Sequence, residues 1–124
     1  MGPQPFAPIL VVDDNDETRL LLKSVLEIKG YVTATAADGL DALQYLRAGK
    51  PVSLVITDLF MPVMDGRSFA EQLRADPALA HIPVIAYSAG TDDVIPGVTA
   101  VVRKLSHPDV LLSLVAKHTE RRCG

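Results

Sequence analysis

The sequence predicts an α/β domain built on a doubly wound, five-stranded parallel sheet. Short apolar runs rich in β-branched residues alternate along the chain with stretches of helical periodicity. The clearest runs lack the polar alternation of a half-exposed strand, so they fit strands covered on both faces. A chain of 124 residues, 48% of them hydrophobic, is long enough for one core and too short for two.

Ile9-Leu10-Val11-Val12 is the first strand, and Asp13-Asp14-Asn15-Asp16 breaks it with residues suited to capping a helix. Leu21, Leu22, Val25 and Leu26 follow at helical spacing, and Gly30 is a natural stop. Tyr31–Ala36 reads as a second strand. Asp38-Gly39 opens a second helix that carries Leu43 and Leu46 and ends at Gly49. Val52–Thr57 is a third strand, interrupted by Ser53 and running into Asp58. A loop with Pro62 and Gly66 leads to a helix near Arg67–Arg74. Pro83–Tyr87 is a fourth strand ending at Ser88, and Ala100–Val102 is a fifth ending near Lys104. Between them Gly90, Pro96 and Gly97 leave room for one helical turn near Asp92–Ile95, so the fourth helix is expected to be shortened or missing. Pro108–His118 is the last helix, with Val110, Leu111, Leu114 and Val115 expected to face inward. Strands and helices in this order make right-handed βαβ units.

Several classes of function are excluded on composition. Net charge is -3 and no Lys/Arg-rich run stands out, so direct nucleic-acid binding is not expected. The apolar runs fall far below the roughly 18 residues of a membrane span. Met1–Pro8 has neither the basic nor the apolar region of a signal peptide. Cys123 is the single cysteine, which rules out a disulfide framework and fits a reducing, cytoplasmic setting. The expected organisation is a tail over 1–7, one domain over 8–120 and a tail over 121–124, with no output domain.

In an open α/β sheet, ligands bind beyond the carboxyl ends of the strands. Strand one ends in Asp13 and Asp14, strand three in Asp58, strand four in Ser88 and strand five near Lys104. Three carboxylates, a hydroxyl and an ammonium therefore converge on one edge. Three carboxylates in one crevice repel each other, and a hard cation resolves the conflict. Oxygen-only ligands with open positions suit Mg²⁺. His81, His107 and His118 do not fall at these strand ends, which argues against zinc. A carboxylate beside the metal can act as nucleophile toward phosphorus, with Lys104 offsetting phosphoryl charge and Ser88 donating a hydrogen bond. Each residue alone has a plainer reading: Asp13-Asp14 as a helix cap, Asp58 as a turn residue, Lys104 as a solvated charge. Their coincidence at four strand ends favours the joint one.

As a set, Asp13-Asp14, Asp58-Leu-Phe-Met-Pro-Val-Met-Asp-Gly66, Ser88-Ala89 and Lys104 resemble the receiver domains of two-component response regulators. The resemblance runs from about Ile9 to His118 and implies the flavodoxin-like, CheY-like (βα)5 fold. It implies that Asp58 is the phosphoacceptor, that Asp14 holds Mg²⁺ directly and Asp13 mainly through water, and that the Phe60 carbonyl is a further ligand. By the same resemblance Ser88 is the switch hydroxyl and Lys104 contacts the phosphoryl group. The implied donor is a phosphohistidine on a sensor histidine kinase or phosphotransfer protein. The downstream partner is a protein the sequence does not identify, and a monomer or weak dimer is expected.

Three features depart from the family pattern. Lys104-Leu105 stands where the family has Lys-Pro with a cis bond, and a cis bond to leucine would cost about 2.5–4 kcal/mol, so a trans bond and a differently shaped loop are expected. Val101 stands where the family has its switching aromatic, and the stretch from Ser88 to Lys104 is short. Two other functions compete with the receiver reading. A Mg²⁺-dependent phosphohydrolase needs a second carboxylate two residues past its nucleophile, and Phe60 stands there. A pseudo-receiver that binds partners without taking phosphate is opposed by the complete acidic set and favoured by Leu105 and the short segment after Ser88.

Overall fold

The structure is a computed structural model that describes residues 7–61, 63–88, 97–103 and 108–119, with Ser88 described by its backbone. Five strands form one sheet: β1 (Ile9–Val12), β2 (Thr33–Ala36), β3 (Leu54–Asp58), β4 (Val84–Ser88) and β5 (Ala100–Arg103). Among the described residues there are four helices: α1 (Asp16–Ile28), α2 (Gly39–Arg47), α3 (Gly66–Ala75) and α4 (Pro108–Thr119). The strand order is β2-β1-β3-β4-β5, and every pairing is parallel.

β1 and β3 are buried along their whole length because successive side chains serve opposite layers. Leu10, Val12 and Val55 pack with Ala42, Leu43, Leu46, Phe69 and Leu73 of α2 and α3. Ile9, Val11, Leu54 and Ile56 pack with Leu22, Leu26, Leu111 and Val115 of α1 and α4. Apolar residues at every position of β1 and through Leu54–Ile56 of β3 are what this double coverage requires.

The first three helices start at side-chain caps. Asn15, Asp38 and Asp65 accept the backbone N–H groups of Thr18, Asp41 and Ser68, at 2.9, 2.8 and 2.8 Å. α4 opens on Pro108, whose missing N–H would have had no helical partner there. α1 stops at Gly30, which has φ +95° and donates to the Glu27 carbonyl at 3.0 Å.

Some expectations need correcting. Leu21 is 60% exposed, and the inward stripe of α1 is Leu22 and Leu26, one turn apart. Val110 is likewise exposed and Leu114 half-buried, leaving Leu111 and Val115 as the buried pair of α4. In each case adjacent helix positions point about 100° apart, and the docking of the helix buries one of the two neighbouring apolar residues while the other faces away. β2 begins at Thr33, not Tyr31, whose N–H instead donates to the Leu26 carbonyl at the end of α1. The shortened fourth helix was expected near 92–95, outside the described residues, and so are the Lys104-Leu105 bond, His107 and Cys123.

Candidate functional site

The strand order reverses between β1 and β3, which sit side by side while their connections leave in opposite directions. Such a switch point opens a crevice at the carboxyl ends of the strands. Both strands end there in acid. Val12 pairs with Thr57, so Asp13 and Asp58 are next in line on neighbouring strands. Asp13 is 1% exposed and Asp58 6% exposed, whereas Asp14 is open to solvent. Oxygens from all three carboxylates lie within 4.8 Å of one another. Among the described residues this is the one grouping of three or more His, Cys, Asp or Glu side chains with such spacing.

Local hydrogen bonds fix each acid. The Asp13 N–H continues the sheet ladder to the Ala36 carbonyl at 3.2 Å, and one Asp13 carboxylate oxygen accepts the Asn15 N–H at 2.8 Å. The Asp13 carbonyl accepts from Arg19 Nη1 at 2.7 Å, and Arg19 also pairs with Asp16. Asp58 Oδ1 accepts the Phe60 N–H at 3.3 Å, which sets the Phe60 backbone beside the carboxylate. Thr57 Oγ1 donates to the Asp58 carbonyl at 2.8 Å.

Gly66 closes the loop from β3 onto this strand end. Its N–H donates to the Leu59 carbonyl at 2.9 Å. A Cβ at this position would stand 2.4 Å from the Asp58 carbonyl oxygen and 2.9 Å from the Leu59 Cα. Glycine is required here by close approach of backbone to backbone. Met61 and Met64 pack against the core between the sheet and α2–α3, as loop residues with a packing role, while Phe60 and Val63 project outward.

Asp58 pairs with Tyr87, and Ser88 pairs with Arg103, so β4 and β5 end at the same edge. The Ser88 side chain and Lys104 lie outside the described residues. Tyr87, expected in the core, is half-buried and packs against the edge of the cluster between the sheet and α1–α4. Val101 packs with Leu59 and Ala86 near the same strand ends. Sequence reasoning missed Arg19 and the contact of Gly66 with Asp58. The i, i+3 spacing of Asp16 and Arg19 was the available signal for the first. A separate cavity of about 430 Å³, lined by Leu46, Arg47, Lys50, His81 and Ile82 among others, contains none of the three acids.

Residues 9–115 match the family described as the response regulator receiver domain. The chain belongs to that family. The transcriptional regulatory protein PrrA of Mycobacterium tuberculosis is 36% identical to this receiver over 110 residues, which is 88% of this chain and 47% of PrrA. The hybrid signal transduction histidine kinase D of Dictyostelium discoideum is 38% identical over 85 residues, covering 68% of this chain and 5% of the kinase. The receiver thus spans about half the length of one curated relative and a small part of the other. Among solved structures, the response regulator protein TrrA of Thermotoga maritima, in complex with Mg²⁺-BeF, superposes with a TM-score of 0.82 at 32% identity, covering 90% of this chain and 98% of TrrA. The receiver family serves two-component signalling, which fits relatives that are regulators and histidine kinases. No helix among the described residues is long and apolar enough to cross a membrane.

Proposed function

We propose that this receiver accepts a phosphoryl group on Asp58, with Mg²⁺, from a phosphohistidine of a sensor kinase or phosphotransfer protein in the cytoplasm, and that the modified surface changes the binding of a downstream protein. The carrying observation is the gathering of the Asp13, Asp14 and Asp58 carboxylates within 4.8 Å at the strand-order reversal. An all-oxygen donor set of three acids fits a hard divalent cation, and the similar TrrA was solved with Mg²⁺. Asp14 would hold the ion directly, Asp13 mainly through water, and Asp58 and the Phe60 carbonyl would complete the protein's share. The ion, when bound, offsets negative charge on the transferring group.

The chain's own residues do the rest. An Asp58 oxygen forms the new bond to phosphorus as the phosphorus–nitrogen bond of the donor breaks and the imidazole leaves. The Phe60 N–H, already on Oδ1, holds the carboxylate at a fixed angle. In this reading Ser88 and Lys104 reach the phosphoryl oxygens from the ends of β4 and β5. Phe60 has no group to move a proton two residues past the nucleophile, so the domain acts on its own phosphoryl group and does not turn over phosphate esters. The proposed domain covers 8–120.

Incubation with a small acyl phosphate and Mg²⁺ tests this. Intact-mass measurement should show one phosphoryl adduct on the wild type and none on Asp58→Asn. An unmodified wild type, or an equal adduct on the variant, would overturn the proposal.

A further inference from the structure

The β1–α1 turn presents two of the three acids and is held by a contact that the phosphoryl chemistry does not itself require. Arg19 reaches back from the first turn of α1. Its Nη1 donates to the Asp13 carbonyl at 2.7 Å and its Nη2 to the Asp16 carboxylate. The Arg19 side chain is 19% exposed although Asp16 is 80% exposed, so the guanidinium is tucked beneath the turn on its Asp13 side. On the same residue the Asn15 N–H holds the Asp13 carboxylate at 2.8 Å. Asp13 is thus gripped at its carbonyl by Arg19, at its N–H by Ala36 and at its carboxylate by Asn15.

We infer that Arg19 is a positioning residue for divalent-cation binding: its planar fork locks the Asp13–Asn15 turn so that Asp13 and Asp14 meet Asp58 before any ion arrives. The inference rests on the proposed function for its metal. A fork suits this task, since one guanidinium can serve a carbonyl and a carboxylate at once in fixed geometry. The sign of the effect separates positioning from simple charge. Arg19 is a cation close to a cation site, so its charge alone opposes metal binding, and removing that charge would tighten it. A group that preorganises the ligands has the opposite effect. Loss of partners just outside a metal's ligands weakens binding.

The experiment compares the wild type, Arg19→Gln and Leu22→Ala. Leu22→Ala removes a buried side chain from the core side of the same helix and deletes none of the groups that make the turn's hydrogen bonds. Calorimetric titration with MgCl₂ should show binding weakened about tenfold in Arg19→Gln and unchanged in Leu22→Ala, although Leu22→Ala loses more stability to urea. In the metal-free protein, amide exchange at Asn15 should accelerate in Arg19→Gln alone. Unchanged or tighter Mg²⁺ binding in Arg19→Gln, or equal weakening in Leu22→Ala, would overturn the inference. If the wild type binds no Mg²⁺, the proposed function fails separately. Asn15 exchange then decides the latch, and an unchanged rate in Arg19→Gln would overturn it.

Discussion

The turn between β1 and α1 and the loop between β3 and α3 bring acids to the same point by different means. The first is short and polar, and hydrogen bonds from Asn15 and Arg19 fix it around Asp13. The second is longer and is held by packing: Leu59 is fully buried, Met61 and Met64 are half-buried against the core, and Gly66 fits flush against the strand end. It also contains the one described non-glycine residue with positive φ, Val63 at 70°, a conformation that β-branched side chains rarely adopt. A turn fixed by separate hydrogen bonds should weaken one contact at a time. A packed loop should tolerate small losses and fail when volume is added.

The sharpest way to break this contrast is Gly66→Ala. The added methyl meets backbone atoms of Asp58 and Leu59 that cannot swing aside. Urea unfolding should show a loss at the upper end of the roughly 1–3 kcal/mol range for overpacking. A loss near zero would mean that the β3–α3 loop shifts as easily as a surface turn. A smaller effect is expected on the polar side. Asn15→Ala removes the cap of α1, and the same measurement should show a loss of about 1 kcal/mol. The smallest effect has the opposite sign. Val63→Gly relieves a left-handed conformation that costs about 1–2 kcal/mol, partly offset by about 0.5–1 kcal/mol of extra chain entropy, so a gain of about 0.5 kcal/mol is expected. Destabilisation by Val63→Gly would show that the exposed valine contributes packing that outweighs its strain.

The same contrast explains what was legible in the sequence. Asp13, Asp14 and Asp58 could be placed because each ends or follows an apolar run, and a parallel sheet aligns such ends. The strands and helix starts were legible for similarly local reasons: Asp38 and Asp65 cap their helices by side-chain chemistry alone. Contacts made across the fold were not legible. Leu21 and Leu22 look alike in sequence, and only the docking of α1 on the sheet decides that Leu22 turns inward. Gly66 reads as an ordinary turn glycine after Asp65. Its close fit to the Asp58 carbonyl depends on where α3 returns to the sheet. Arg19 reads as a helix-surface charge paired with Asp16. Its bond to the Asp13 carbonyl depends on how the turn folds back over the helix.

The reversal of strand order between β1 and β3 also sets a sequence in time. During synthesis from the N-terminus, Asp13 and Asp14 emerge well before Asp58, and β2 and α2 come between them. β1 can pair with β2 as soon as both are available, but its other neighbour is β3. Until β3 slides in beside it, the chain carries a pair of acids with no third, and the crevice has one wall. A ligand held by all three carboxylates can therefore be captured only after the longer crossover has closed, so occupancy of the site marks a chain that has made the β1–β3 pairing, the one between neighbouring strands farthest apart in sequence.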